Sequence, residues 1–155
     1  MPVRAKICGL STPEAVAAAV EGRAAYVGFV FFPKSPRHVS PGLAARLAEP
    51  ARAAGLGVVA VTVDSTDAEA VEIARTLRPD LIQLHGAEPP ERASAIGRLT
   101  GAGVIKALPV STVADLDRAK AYEPAVDHLM FDARPPQGSD LPGGVGARFD
   151  WTILQ

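Results

Sequence analysis

Short runs of β-branched and apolar residues recur through this 155-residue chain, each followed by an Ala-rich stretch of helical period. The runs fall at 4–8, 26–31, 58–63, 81–84, 104–108 and 128–131. Their starts are about 23 residues apart, with one gap of about 32 where a long loop intervenes. A repeat of one strand plus one helix predicts a βα array. The strands are apolar at nearly every position, as in Val58-Val59-Ala60-Val61, which fits parallel strands buried on both faces. Helix starts are marked by Ser11-Thr12-Pro13-Glu14, Ser40-Pro41, Asp67 and Ser111-Thr112, and Gly55 is placed to end the second helix. In the third helix Val71, Ile73 and Ala74 are expected on the inward face.

An open doubly wound sheet and a closed (β/α)8 barrel both accept such an array. The short, even period favours the barrel. An open dinucleotide-binding sheet usually shows G-x-G-x-x-G after its first strand, and here Lys6-Ile7-Cys8-Gly9-Leu10 stands in that place. The expectation is an α/β fold of the (β/α)8 TIM-barrel type, with residues 1–155 as a single domain showing about six βα units.

Several function classes are disfavoured. The formal net charge of -1 gives no sign of a nucleic-acid or acidic-membrane surface. No stretch approaches the roughly 18 consecutive apolar residues of a membrane span, and residues 1–6 show no signal core, so a cytoplasmic protein is expected. Cys8 is the one cysteine, so no internal disulfide can form. The histidines His38, His85 and His128 have no metal-ligand spacing, and no metal is expected.

In a barrel the chemistry sits at the C-terminal ends of the strands. The polar residues found there are Cys8, the loop Lys34-Ser35-Pro36-Arg37-His38, Asp64, Gln83, His85 and Asp132, with Lys106 near the middle of the fifth strand. A core cysteine belongs mid-strand, whereas Cys8 stands at the rim beside a glycine. A thiol near positive charge can act as nucleophile or base. Lys6 shares the strand parity of Cys8, so both can point into the barrel. Asp132 ends the sixth strand, and Cys8 and Asp132 would face each other across the mouth as a possible base and acid. Arg37 is either a solvated loop charge or a clamp on a carboxylate or phosphate. His85 either caps the next helix or contacts a ligand, and Asp64 reads as the cap of a turn. His128 reads as structural, and Trp151 and Phe149 as packing residues.

These residues also fall into a known pattern. Lys6-Ile7-Cys8-Gly9-Leu10 resembles the opening signature of phosphoribosylanthranilate isomerases. So do the segment from Val27-Gly28-Phe29 through Pro33-Lys34-Ser35-Pro36-Arg37, and Ile82-Gln83-Leu84-His85-Gly86, Ile105-Lys106-Ala107, Phe131-Asp132 and Gly143-Gly144-Val145-Gly146 with Phe149-Asp150-Trp151. The matches follow the family's order over the whole chain.

The resemblance implies a cofactor-free Amadori rearrangement in tryptophan biosynthesis, by a monomer or homodimer acting on a small-molecule substrate. It implies Asp132 as general acid and Cys8 as general base. Arg37 would hold the anthranilate carboxylate, Gln83 and His85 would line the mouth, and Lys6 would join them as a supporting substrate-binding residue. Val145 departs from the Thr or Ser usual between those glycines, and Ala147-Arg148 from the usual Lys-Thr. A complete barrel needs about 200 residues or more, so a seventh and an eighth unit with the phosphate-binding loops are expected beyond Gln155. A related barrel such as an imidazole-carboxamide ribotide isomerase would be expected to carry a carboxylate where this chain has Cys8. A catalytically inactive fragment is the other alternative.

Overall fold

Each apolar run becomes one strand of a parallel sheet in the computed structural model of the chain, which describes residues 3–134, 138, 146, 148 and 150–154. The strands are β1 (Lys6–Cys8), β2 (Tyr26–Phe31), β3 (Gly57–Thr62), β4 (Leu81–Leu84), β5 (Gly103–Val110) and β6 (His128–Ala133). Helices α1 (Pro13–Glu21), α2 (Pro41–Ala53), α3 (Asp67–Leu77), α4 (Pro90–Thr100) and α5 (Val113–Ala119) lie between them. Strand order follows chain order, β1 to β6, with every pairing parallel. This is the α/β array that the repeat predicts. No helix among the described residues is long and apolar enough to cross a membrane.

Strand parity sorts the apolar residues into two layers. Val27, Phe29, Val58, Ala60, Ile82, Leu84 and Val104 pack under the helices, against Val16, Ala44, Leu47, Ile73, Leu77 and Ile96. Val30, Val59, Val61, Leu81 and Ile105 point to the opposite face and form a second cluster with Tyr26, Phe32 and Met130. Burial on both faces is why the strand sequences lack polar alternation. The sheet is curled toward the second cluster, because side chains far apart in strand order meet there. Lys6 of β1 bonds Gln83 of β4, and residues from β1 and β6 line one cleft.

Local signals explain the helix ends, with some corrections. Thr12 and Ser40 cap α1 and α2, each followed by proline in the first turn. Thr66, not Asp67, caps α3, through a reciprocal box with Glu69, and Asp67 is the first helical residue. The inward face of α3 is Ala70, Ile73 and Leu77, while Val71 is 40% exposed. Trp151 is 70% exposed and is not a core residue, and Phe149 lies outside the described residues. At the N-terminal side of the sheet one device appears twice. Asp80 accepts from Val58 N–H and Asp127 from Val104 N–H, each at 2.7 Å, tying the entry of one strand to the start of its neighbour.

Candidate active site

A cleft of ≈ 290 Å³ opens at the C-terminal ends of the strands. Lys6, Cys8, Arg37, Gln83, His85 and Asp132 all line it, with Val30, Phe32, Val61, Val63 and Met130 as its apolar surface. Parity delivers these pairs: Lys6 with Cys8, Gln83 with His85, and Met130 with Asp132 alternate along their strands and so share a face.

Two glycines shape the Cys8 side. A Cβ on Gly28 would come within 3.1 Å of Cys8 Sγ, so the bare backbone of β2 leaves room for the thiol. Gly9 has φ +80 and donates to Gly28 carbonyl at 2.9 Å. A Cβ there would lie 2.5 Å from Arg37 Cδ, so Arg37 runs across the backbone of Gly9, next to Cys8. The Arg37 loop is pinned by Ser35, whose Oγ accepts from Arg37 N–H at 3.2 Å, and by Val39 N–H donating to Val30 carbonyl at 3.0 Å.

The opposite side is a chain of hydrogen bonds. Lys6 Nζ donates to Gln83 Oε1, Gln83 Nε2 meets His85 Nδ1 at 3.0 Å, and His85 Nε2 meets Asp132 Oδ2 at 3.2 Å. Asp132 Oδ1 accepts from Ala133 N–H at 2.9 Å. His85 therefore does not cap α4, whose N-cap is Pro89. Burial lowers the pKa of His85 below its usual 6.5, against the pull of Asp132, and Lys106 and Lys6 add to the lowering. The unfolded chain consequently takes up this proton first as pH falls. The contribution of neutral His85 to stability is complete above 6.5, declines as pH drops through that value, and levels off once the folded ring is protonated too. Urea melts of the wild type between about pH 7.5 and 5 should show this loss, and His85→Gln should show less of it.

Behind the cleft stands an ion pair that the sequence reading did not contain. Lys106 and Glu88 are 2% and 3% exposed and meet at 2.8 Å. Lys106 also donates to Gly86 carbonyl at 2.7 Å, while Glu88 accepts from Asp64 N–H at 2.8 Å and Gly86 N–H at 2.9 Å. Asp64 accepts from Ala87 N–H at 2.8 Å and holds φ 47. A Cβ on Gly86 would strike the Asp64 carboxylate at 2.5 Å. This knot fixes the backbone beside His85. A lysine in an apolar strand signals a buried counterion, but nothing local identifies Glu88 as its partner. His128 is exposed, and Gly143, Gly144 and Val145 lie outside the described residues.

The cleft can be set beside known proteins. Residues 5–155 match the family described as N-(5'phosphoribosyl)anthranilate (PRA) isomerase. The chain belongs to this family. It is 60% identical over 150 residues to the N-(5'-phosphoribosyl)anthranilate isomerase of Caulobacter vibrioides, an alignment spanning 97% of this chain and 68% of that protein. Its fold is similar to the crystal structure of phosphoribosyl anthranilate isomerase from Thermotoga maritima, with TM-score 0.85 and 34% identity over 99% of this chain and 70% of that one. A further phosphoribosyl anthranilate isomerase, with TM-score 0.76 and 35% identity over 85% of this chain and 66% of that one, was crystallised in complex with reduced 1-(o-carboxyphenylamino)-1-deoxyribulose 5-phosphate.

Proposed function

We propose that this chain carries the proton-transfer groups of an isomerase that converts N-(5'-phosphoribosyl)anthranilate to 1-(2-carboxyphenylamino)-1-deoxyribulose 5-phosphate, a step of tryptophan biosynthesis. The observation that carries the reading is a thiol and a carboxylate in one cleft, Cys8 from β1 and Asp132 from β6, with Arg37 lying across Gly9 beside the thiol. A proton from Asp132 passes to the ribose ring oxygen, and the C1–O bond breaks as the anilino nitrogen lone pair forms an iminium. The iminium acidifies the C2 proton, which the Cys8 thiolate removes to give an enolamine. Tautomerisation then yields the ketone. The carboxylate left on Asp132 is met by His85 and by Ala133 N–H. The same reading makes the curled sheet six strands of a (β/α)8 barrel. It needs no cofactor, and the cysteine at the end of β1 favours it over the related ribotide isomerase.

The test is incubation of the full-length protein with the substrate. The expected product has the same mass and a new ketone carbon visible by 13C NMR. A folded protein that leaves the substrate unchanged contradicts the reading.

Arg37 has a separable role. Its guanidinium reads the anthranilate carboxylate in the ground and transition states alike, so Arg37→Ala should mainly raise KM, by about ten- to a hundredfold for a charge-assisted contact. Gly9→Ala displaces the same side chain and should raise KM in the same direction, with less than additive effect in the double variant. An analogue lacking the carboxylate should scarcely distinguish wild type from either variant. Equal discrimination for both ligands would show that Arg37 does not read that group.

A further inference from the structure

The hydrogen bonds along the cleft wall have an order that a mere lining role does not require. Lys6 Nζ has only donors, so the Gln83 atom it meets has to be the carbonyl oxygen. The reverse orientation would set an NH2 against an ammonium. The Gln83 amide nitrogen, also donor only, then faces Nδ1 of His85 at 3.0 Å. Nδ1 therefore accepts, and the one proton of the neutral ring stands on Nε2, 3.2 Å from Asp132 Oδ2. Gln83 is 1% exposed, so its amide is held by these two partners and not by bulk water.

We propose that Lys6 and Gln83 are positioning residues that lock His85 in the Nε2–H tautomer, so that His85 always presents a donor, never a lone pair, to Asp132. The proposal rests on the reading of Asp132 as the general acid. An unlocked ring has a second neutral tautomer in which Nε2 is a base. That nitrogen would take the proton from Asp132 before the ribose oxygen does. With the lock in place the proton of Asp132 has one destination, and Nε2–H meets the carboxylate as charge develops on it. Burial supports the neutral ring, with Asp132, Lys6 and Lys106 as the charges acting on it.

The test uses full-length protein carrying 15N-labelled histidine. In the wild type, His85 should show a protonated Nε2 and an unprotonated Nδ1. Gln83→Glu places an acceptor against Nδ1, and that nitrogen should become protonated. Its kcat should fall about ten- to a hundredfold, as for a misdirected catalytic group, with KM within about twofold. Lys6→Met frees the amide to turn and should produce a mixture of tautomers, while Lys6→Arg, another donor-only group, should restore Nε2–H. An active wild type with His85 protonated on Nδ1 overturns this inference alone, as does a Gln83→Glu variant that shifts the proton and keeps full kcat. A wild type with no turnover overturns the isomerase reading itself, whatever the tautomer.

Discussion

Cys8→Ala and Asp132→Asn should each lower kcat by about two to four orders of magnitude, the usual scale of general acid–base catalysis. Each variant deletes one of the two proposed proton-transfer groups with little change in side-chain size. Cys8 sits over the bare backbone of Gly28, so removing its sulfur disturbs no neighbour by crowding. Asparagine at position 132 keeps one oxygen, enough for His85 Nε2, and loses the acidic proton together with the oxygen that accepts from Ala133 N–H. Binding of a product analogue should therefore change little, and the loss should appear in kcat and kcat/KM together. Steady-state kinetics in the full-length protein reads this directly. A variant retaining more than about a tenth of wild-type kcat would remove that residue from the proton-transfer scheme.

The largest effect on stability is expected at Glu88. Glu88→Gln leaves the Lys106 ammonium 2% exposed without a counter-charge. Breaking one side of a buried pair in this way costs about 3–5 kcal/mol. Activity should fall as well, because Glu88 receives the N–H groups of Asp64 and Gly86 and so fixes the chain next to His85. The double variant Lys106→Met/Glu88→Gln removes the stranded charge and should be less destabilised than Glu88→Gln alone. Urea denaturation of the three proteins checks this. A double variant no more stable than Glu88→Gln alone would show that Lys106 supports the fold through contacts other than this pair.

The parts of this architecture that follow a local rule were readable in the sequence. Strand positions followed from apolar runs and the βα period, and strand parity placed Lys6 with Cys8 on one face. Boundaries were less secure where a neighbour sets them. β5 continues two residues past the expected end at Leu108, through Pro109 to Val110, because β6 pairs with it as far as Val110. The start of α3 was misread by one residue despite a legible clue, since Thr66 and Glu69 have the spacing of a capping box. The hydrogen-bond partners were out of reach. Lys6 meets Gln83 across 77 positions and His85 meets Asp132 across 47, and no local pattern encodes contacts created by the curl of the sheet. Glu88 was missed for the same reason. An acid beside two prolines reads as a loop charge until Lys106 is found beneath it.

The rearrangement requires the C2 hydrogen of the substrate to leave as a proton, and Cys8 is the group assigned to remove it. The most direct measurement is the single-turnover rate of the full-length protein on substrate carrying deuterium at C2. The prediction is conversion to the ketose with deuterium lost from C2, a primary isotope effect on the wild-type rate, and near-complete loss of that step in Cys8→Ala. Conversion with no isotope effect on the wild-type rate, or a Cys8→Ala protein that converts the substrate at the wild-type rate, would contradict it.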